Sequence, residues 1–245
     1  FLFELKKFKS ELKSDIKTFI ILSFLIGLSL FLGSALQQVA LLYTDVANAA
    51  FFTIFYVPMV PIIIFLFRRR SIHWSVWPSV ILCLIGGYLL TNFQDATVRF
   101  GDSLIVLGAL FWSTHIIFTG IIVIKYNLPL TLGAIQTLIV ASFSFLIGSI
   151  YEEFIYADII KEIYSILYAG ILSGGFAFVL QIYAQKNITP APAAIIFSLE
   201  GVFATIAAWY LLNQILDINN LLGCFFILCG VLLSQLLPLL KKRYS

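Results

Sequence analysis

Long apolar runs, separated by short polar segments, follow one another along nearly the whole chain. Each run holds about 20 residues, enough for a helix to cross a hydrocarbon core of about 30 Å. The runs lie at 18–42, 47–67, 75–93, 102–123, 130–148, 163–185, 190–212 and 219–238. The pattern predicts an all-α integral membrane protein with eight transmembrane helices. Residues 1–17 have apolar positions at helical spacing among lysines, which fits either an interfacial amphipathic helix or a solvated connecting loop.

The composition agrees with a membrane protein and excludes several other classes. Hydrophobic residues make up 61% of the chain and charged residues 11%, whereas soluble domains have about 25% charged residues. The eight spans leave no room for a soluble catalytic domain. Cys83, Cys224 and Cys229 all fall inside apolar runs, so we expect buried thiols rather than disulfides or metal ligands. No cofactor and no metal site are predicted.

The positions of the basic residues predict the topology. With the N-terminus in the cytoplasm, every Lys and Arg except Arg99 and Lys161 lies in a cytoplasmic segment. Both ends of the chain are then cytoplasmic, and a bacterial inner membrane is the expected location. Because the basic residues are divided among membrane-bounded loops, nucleic-acid binding has no support.

The chain contains an internal repeat with an offset of 144 residues. Residues 36–92 align with 180–236 without a gap, and Gln37 and Gly86 meet Gln181 and Gly230. The first three helices thus pair with the last three. The two repeats are therefore shifted by five helices. Because five is an odd number, equivalent helices cross the membrane in opposite directions, and the two halves have opposite orientations. Inverted repeats are typical of secondary transporters, with the substrate site near the midplane between the halves.

The repeat also predicts the domain organisation. Residues 1–98 form the first repeat with three helices, and residues 99–245 form the second with five. The fourth and fifth helices have no earlier partners, so we expect two further helices upstream of Phe1. The complete protein would then have ten helices in a 5+5 inverted-repeat bundle.

Glu200 is the strongest candidate for a functional residue. It lies about ten residues into the run at 190–212, near the bilayer midplane, where a carboxylate costs roughly 2.5–3.5 kcal/mol. It could couple transport to protons or anchor a substrate amine. The structural alternative is a carboxylate that only ties two helices together. Tyr56 is its partner in the repeat and can also form hydrogen bonds at mid-depth.

Other polar residues within the spans are further candidates for the translocation site. Trp112 and His115 share one helical face, where the indole could stack on a substrate and the imidazole could donate or relay a proton. Their alternative role is interhelical packing. Gln37 and Gln181 could coordinate substrate symmetrically or act as interhelical hydrogen-bonding groups. Pro58 and Pro61 predict a bend in the second helix.

Several stretches together match a known family pattern. They are A-L-L-Y-T-D-V-A-N-A-A-F-F-T at 40–53, G-D-S-L-I-V-L-G-A-L-F-W-S-T-H at 101–115, L-Q-I-Y-A-Q-K-N-I-T-P at 180–190, A-A-I-I-F-S-L-E-G-V-F-A at 193–204, and L-L-G-C-F-F-I-L-C-G-V at 221–231. On these the chain resembles EamA-type transporters of the drug/metabolite transporter superfamily, as helices three to ten of the family pattern. The resemblance departs at Gly201, where the family often has proline, and at Gln214, where it often has glutamate. It implies export or exchange of small metabolites.

We therefore expect a secondary transporter, not an enzyme, that moves amino-acid-like or amphipathic compounds by alternating access. Its energy would come from a proton gradient or from exchange, because no nucleotide-binding G-x-x-x-x-G-K-[ST] motif is present. The expected partners are a small-molecule substrate, the lipid bilayer and protons. One alternative is a non-transporting membrane scaffold or assembly protein. The other is an integral-membrane lipid-modifying enzyme. The sequence makes no prediction about the oligomeric state.

Overall fold

The structure is a computed structural model that describes residues 4, 15–68, 72–91 and 99–243. Most of residues 1–17, for which the sequence leaves a helix or a loop open, lies outside these residues, as do Arg69 and Arg70. In the described part, all regular secondary structure is helical. This agrees with the all-α prediction.

The helices follow the predicted apolar runs, but several runs are divided. In chain order they are α1 (Ile16–Ala40), α2 (Val46–Thr53), α3 (Tyr56–Arg68), α4 (Val76–Leu90), α5 (Phe100–Tyr126), α6 (Pro129–Tyr151), α7 (Tyr156–Lys161), α8 (Ile163–Leu167), α9 (Phe178–Gln185), α10 (Pro190–Phe197), α11 (Leu199–Leu212) and α12 (Ile218–Arg243). A π-helical segment, Tyr168–Ala177, joins α8 to α9.

Seven stretches of the described chain are long and apolar enough to cross a bilayer. They are Ile16–Ala40, Val46–Phe67, Phe100–Tyr126, Pro129–Tyr151, Ile163–Gln185, Pro190–Leu211 and Ile218–Leu240. The remaining predicted span corresponds to α4, an apolar helix of 15 residues. At 1.5 Å per residue α4 is about 22 Å long, shorter than a hydrocarbon core. The chain is a multi-pass membrane protein, and the count of eight spans stays a prediction.

The chain forms two compact units that are interleaved along the sequence. Unit one comprises residues 1–32 and 118–189, and unit two comprises residues 33–117 and 190–245. Helices α1 and α5 contribute residues to both units. This division follows from contacts between residues and not from the internal repeat. It therefore does not test the predicted boundary between the repeats at 98/99, which stays a prediction.

Unit one is built on an apolar cluster from α1, α5, α6 and α9. The cluster consists of Phe19, Ile26, Ile122, Val123, Tyr126, Leu128, Leu132 and Ile182. At its edge, Lys125 Nζ and the Tyr126 hydroxyl both donate to Asp15, at 2.6 and 2.7 Å. The hydrogen bond from the Lys125 ammonium holds the pKa of Asp15 well below its usual value. Asp15 therefore keeps its charge in mild acid, so this tie between α1 and α5 persists there.

The first turn of α6 is capped by Glu4. The Glu4 carboxylate accepts hydrogen bonds from the backbone N–H groups of Leu130 and Thr131, at 3.2 and 2.8 Å, and from the Thr131 hydroxyl. The first N–H groups of a helix have no partner within the helix. A carboxylate at this end also interacts favourably with the helix dipole.

Unit two is centred on the antiparallel pair of α4 and α12, which approach each other at glycines. A Cβ atom added to Gly86 would lie 2.7 Å from the carbonyl oxygen of Gly223, and one added to Gly230 would lie 2.9 Å from that of Ser79. The two contacts are equivalent in the repeat. The 144-residue offset relates Ser79 to Gly223 and Gly86 to Gly230, so it converts one contact into the other. Glycine is required at this crossing because the backbones leave no room for a side chain.

Two spans of unit two are interrupted near their middle. In the first span, α2 ends at Thr53 and α3 begins at Tyr56. In the second span, α10 ends at Phe197 and α11 begins at Leu199. Both α2 and α10 have eight residues, and their first and last residues differ by the same 144 positions. In the first span, Pro58 explains the break, because proline has no N–H for the carbonyl of Ile54 and its ring clashes with that carbonyl.

A buried acid ties the loop between α1 and α2 to the start of α5, at the opposite end of α5 from Lys125. Asp102 is 1% exposed and accepts hydrogen bonds from the Thr44 hydroxyl and, at 2.8 Å, from the backbone N–H of Arg99. Arg99 also pairs with Asp45. Because an acid this buried depends on its donors, each donor contributes to stability.

Replacing Thr44 by valine tests this cluster. The change keeps the shape of the side chain but removes one donor from Asp102, so we expect a loss of about 1–3 kcal/mol in the free energy of unfolding. Thermal unfolding of the purified protein would show it as a lower midpoint. The exposed Ser142→Ala change, on α6, is the control. An unchanged midpoint for Thr44→Val would contradict the role assigned to this hydrogen bond.

Candidate functional site

Glu200 and Tyr56 contact each other in unit two. The Tyr56 hydroxyl donates to Glu200 Oε1 at 3.5 Å, across the 144 residues that separate the two positions. Tyr56 is 4% exposed, whereas the Glu200 side chain is exposed. The pair joins α3 to α11, and the described part of the chain does not enclose Glu200 completely.

The interruptions in the two spans explain why these two residues meet. Tyr56 begins α3, and Glu200 lies in the first turn of α11. Each therefore follows its break directly, close to backbone N–H groups that have no partner within the helix. Helix starts inside a membrane span form the ion and substrate sites of many carriers.

The α5 helix supplies the next part of the site. Ser113 is fully buried and its hydroxyl lies 3.4 Å from the carbonyl oxygen of Tyr56, while it also donates to the carbonyl of Ala109 at 2.7 Å. On either side of Ser113, the rings of Trp112 and His115 meet edge to face with centroids 6.2 Å apart. His115 is fully buried, and Trp112 is half-buried. The predicted aromatic pair therefore exists, and Ser113 links its helix to α3.

The two predicted glutamines have different surroundings. Gln37 on α1 lies 3.5 Å from the Thr53 hydroxyl, and Thr53 donates to the carbonyl of Ala49 at 2.7 Å. Gln37 thus contacts the end of α2, at the first break. Gln181 lies on α9 in unit one. The symmetric pair of glutamines stays a prediction.

Three further residues belong to this site but were not singled out from the sequence. Ser113 contacts the start of α3, Thr53 ends α2, and Gly33 lies against the indole of Trp112. Small hydroxyl residues and glycines are frequent in membrane helices, so their type carries little information. The positions of the two breaks are the signal that would have identified Thr53.

Chemically, the Glu200–Tyr56 pair offers a carboxylate and a phenol, and the Trp112–His115 pair on α5 offers an indole and an imidazole. These groups can hydrogen-bond and stack, and the carboxylate can exchange a proton or pair with an amine. No group of three or more potential metal ligands is found among the residues that the structure describes.

Removal of the Tyr56 hydroxyl tests the contact with Glu200. Tyr56→Phe keeps the ring that packs between α3 and α11, so we expect the protein to fold normally. The carboxylate loses one donor, and we expect transport to fall about 3- to 10-fold, in line with the net value of about 0.5–1.5 kcal/mol for one ordinary hydrogen bond. Initial rates of flux in vesicles measure this. A rate equal to that of Tyr88→Phe, an exposed tyrosine on α4, would contradict the assignment.

Comparison with known proteins identifies a family and several relatives. The model of the EamA-like transporter family matches residues 99–236. An "Uncharacterized transporter" of Archaeoglobus fulgidus is 30% identical over 215 residues, which cover 87% of this chain and 68% of that protein. The "Uncharacterized transporter YoaV" of Bacillus subtilis is 25% identical over 248 residues, which cover 95% of this chain and 80% of that protein.

A solved crystal structure has the same fold. It superposes with a TM-score of 0.75 over 96% of this chain and 80% of its own, at 16% sequence identity. At this identity the likeness concerns the fold alone.

The seven apolar helical stretches, the interrupted spans and the transporters among its relatives define a multi-pass membrane protein of the transporter class. The chain belongs to the EamA-like transporter family, within the drug/metabolite transporter superfamily. The expectation from the sequence motifs is thus confirmed.

Proposed function

We propose that this protein is a secondary carrier of small metabolites, with its substrate site at Glu200 and Tyr56. The observation that carries the proposal is a carboxylate that the described part of the chain does not enclose completely and that a buried tyrosine contacts, directly after the breaks in two membrane spans. A carboxylate inside the membrane is costly unless it faces protein or water, and it is therefore typical of ion and substrate pathways.

The proposed mechanism is alternating access between two inverted halves, residues 1–98 and 99–245. Two observations support it: the equivalent bounds of α2 and α10, and the reciprocal contacts of Gly86 with Gly223 and of Gly230 with Ser79. In an inverted repeat, each half can adopt the conformation of the other, which opens the site to the opposite side. The direction we propose is export across the bacterial inner membrane, with both ends of this chain in the cytoplasm.

The proposed substrates are amphipathic amino acids or amines. Glu200 would pair with an amine, and the indole of Trp112 would stack on an apolar or aromatic part of the substrate. Among the described residues assigned to the site there is no lysine or arginine, which disfavours strong anions such as phosphates. A proton on Glu200 would compete with the substrate amine, so that proton uptake and substrate release are coupled.

Flux measurements in vesicles test this proposal. The purified protein would be reconstituted in liposomes with a panel of amino acids, amines and organic acids, with and without an imposed pH gradient. We expect gradient-driven flux of at least one amine-bearing compound, absent from protein-free liposomes. If folded protein moves no compound of the panel, the carrier function is wrong for this panel and a scaffold role is favoured. Flux of organic acids alone would contradict the assigned substrate class.

A further inference from the structure

Trp112 rests on Gly33 of α1, a position that has no side chain to displace the indole. A Cβ atom added to Gly33 would lie 3.2 Å from the indole Cδ1 and Nε1 atoms and 3.3 Å from Cε2. These atoms belong to the five-membered ring, so this part of the indole occupies the space where a side chain would be. The indole nitrogen is buried there.

The backbones of α1 and α5 approach closely at this level. A Cβ atom added to Gly108, one turn before Trp112, would lie 3.3 Å from the carbonyl oxygen of Gly33. This approach brings Trp112 down onto Gly33, and the edge-to-face contact with His115 holds the ring from the side. Since Trp112 is only half-buried, part of its side chain is not covered by the described chain.

From this geometry we propose that Gly33 is a positioning residue that sets the place of the Trp112 indole and thereby the size of substrate that the site accepts. This inference rests on the proposed carrier function. A methyl group at position 33 would move the indole by a few tenths of an ångström, away from α1 and into the open part of the site. Large substrates would then lose room, while small ones would be affected less.

The first test is spectroscopic and needs no transport. In a protein with Trp112 as its single tryptophan, obtained by changing Trp74, Trp77 and Trp209 to phenylalanine, Gly33→Ala should red-shift the emission and increase quenching by acrylamide. The matched control is Gly170→Ala, because a Cβ atom added at Gly170 meets nothing within 4 Å. Identical spectra for Gly33→Ala and the parent protein would overturn the positioning role.

The second test measures substrate preference. In vesicles, Gly33→Ala should raise KM about 3- to 10-fold for the largest transported compound and change kcat much less, because a small displacement of a binding group mainly weakens binding. The Trp112→Phe change should cancel this effect of Gly33→Ala, since the smaller ring leaves room for the methyl group. An equal fall in kcat for all compounds, not cancelled by Trp112→Phe, would show a merely structural role and overturn the proposal.

The two tests separate this inference from the proposed function. If the parent protein transports nothing, the carrier function fails while the spectra still decide whether Gly33 positions the indole. If the spectra change but the substrate preference does not, the specificity role of Gly33 is wrong while the carrier function stands.

Discussion

Glu200→Gln should fold normally and lose all flux that a pH gradient drives. Glutamine has nearly the same size and can still accept the hydrogen bond of Tyr56, so we expect the free energy of unfolding to change by no more than about 1 kcal/mol. It cannot ionise, however, and can neither exchange a proton nor pair with an amine. Gradient-driven flux in vesicles should therefore fall to the level of protein-free liposomes.

Two control variants make this result specific. Glu153→Gln removes an exposed acid from the segment between α6 and α7 and should transport like the parent protein. Glu200→Asp keeps the charge on a shorter side chain and should retain part of the flux. If Glu200→Gln transports with the same rate and pH dependence as the parent protein, Glu200 has no part in the mechanism.

Gly223→Ala should clearly destabilise the protein, because its added methyl group would meet the backbone of α4. The added Cβ atom would lie 2.7 Å from the carbonyl oxygen of Gly86 and 2.9 Å from the backbone nitrogen of Leu90. Since both are backbone atoms, only a separation of α4 from α12 can make room. Such overpacking costs about 1–3 kcal/mol, which thermal unfolding in detergent would show as a lower midpoint.

The same reasoning predicts how Gly223→Ala combines with Gly86→Ala. Both changes separate the same pair of helices, so the double variant should lose less stability than the two single losses together. Gly170→Ala, in open space, should leave the midpoint unchanged. If Gly223→Ala is as stable as Gly170→Ala, the close approach of α4 and α12 is not present in the protein.

Most of the membrane architecture could be predicted because span length and apolarity follow directly from the bilayer. The predicted runs at 47–67, 102–123 and 190–212 correspond to stretches within a few residues of their predicted ends. Helix α4 is shorter than its predicted run at 75–93, whose last two residues lie beyond the described part. Apolarity alone does not determine where such a helix ends.

The breaks in the two spans were predictable only in part. Pro58 and Pro61 indicate a bend in the first of them, although the break lies at Ile54, one turn before Pro58, where the missing N–H has its effect. At the second break Ser198 donates its hydroxyl to the carbonyl of Ile195 at 2.6 Å. Such a local hydrogen bond competes with the helix, but a serine in an apolar run is too common to predict a break.

The charged residue of the candidate site could be predicted from the sequence, because burial of a charge is costly. The small residues that determine how the helices pack there could not be predicted. An acid near the midplane identifies Glu200, and the repeat offset identifies Tyr56 as its partner. The contacts of Gly33 and Ser113 depend on how α1 and α3 pack on α5. The sequence pattern indicates which segments are apolar. It does not indicate the register between neighbouring helices, which depends on their packing.

The most direct test of a carrier with its site at Glu200 is the accessibility of that site from the two sides of the membrane. Ala204, one turn after Glu200 and also exposed, can be changed to cysteine in a protein whose Cys83, Cys224 and Cys229 are replaced by alanine. Membrane-impermeant thiol reagents would then be applied from either side of reconstituted vesicles. Alternating access predicts reaction from both sides and protection by a transported substrate. Reaction from neither side would place this face of α11 against lipid and contradict the account.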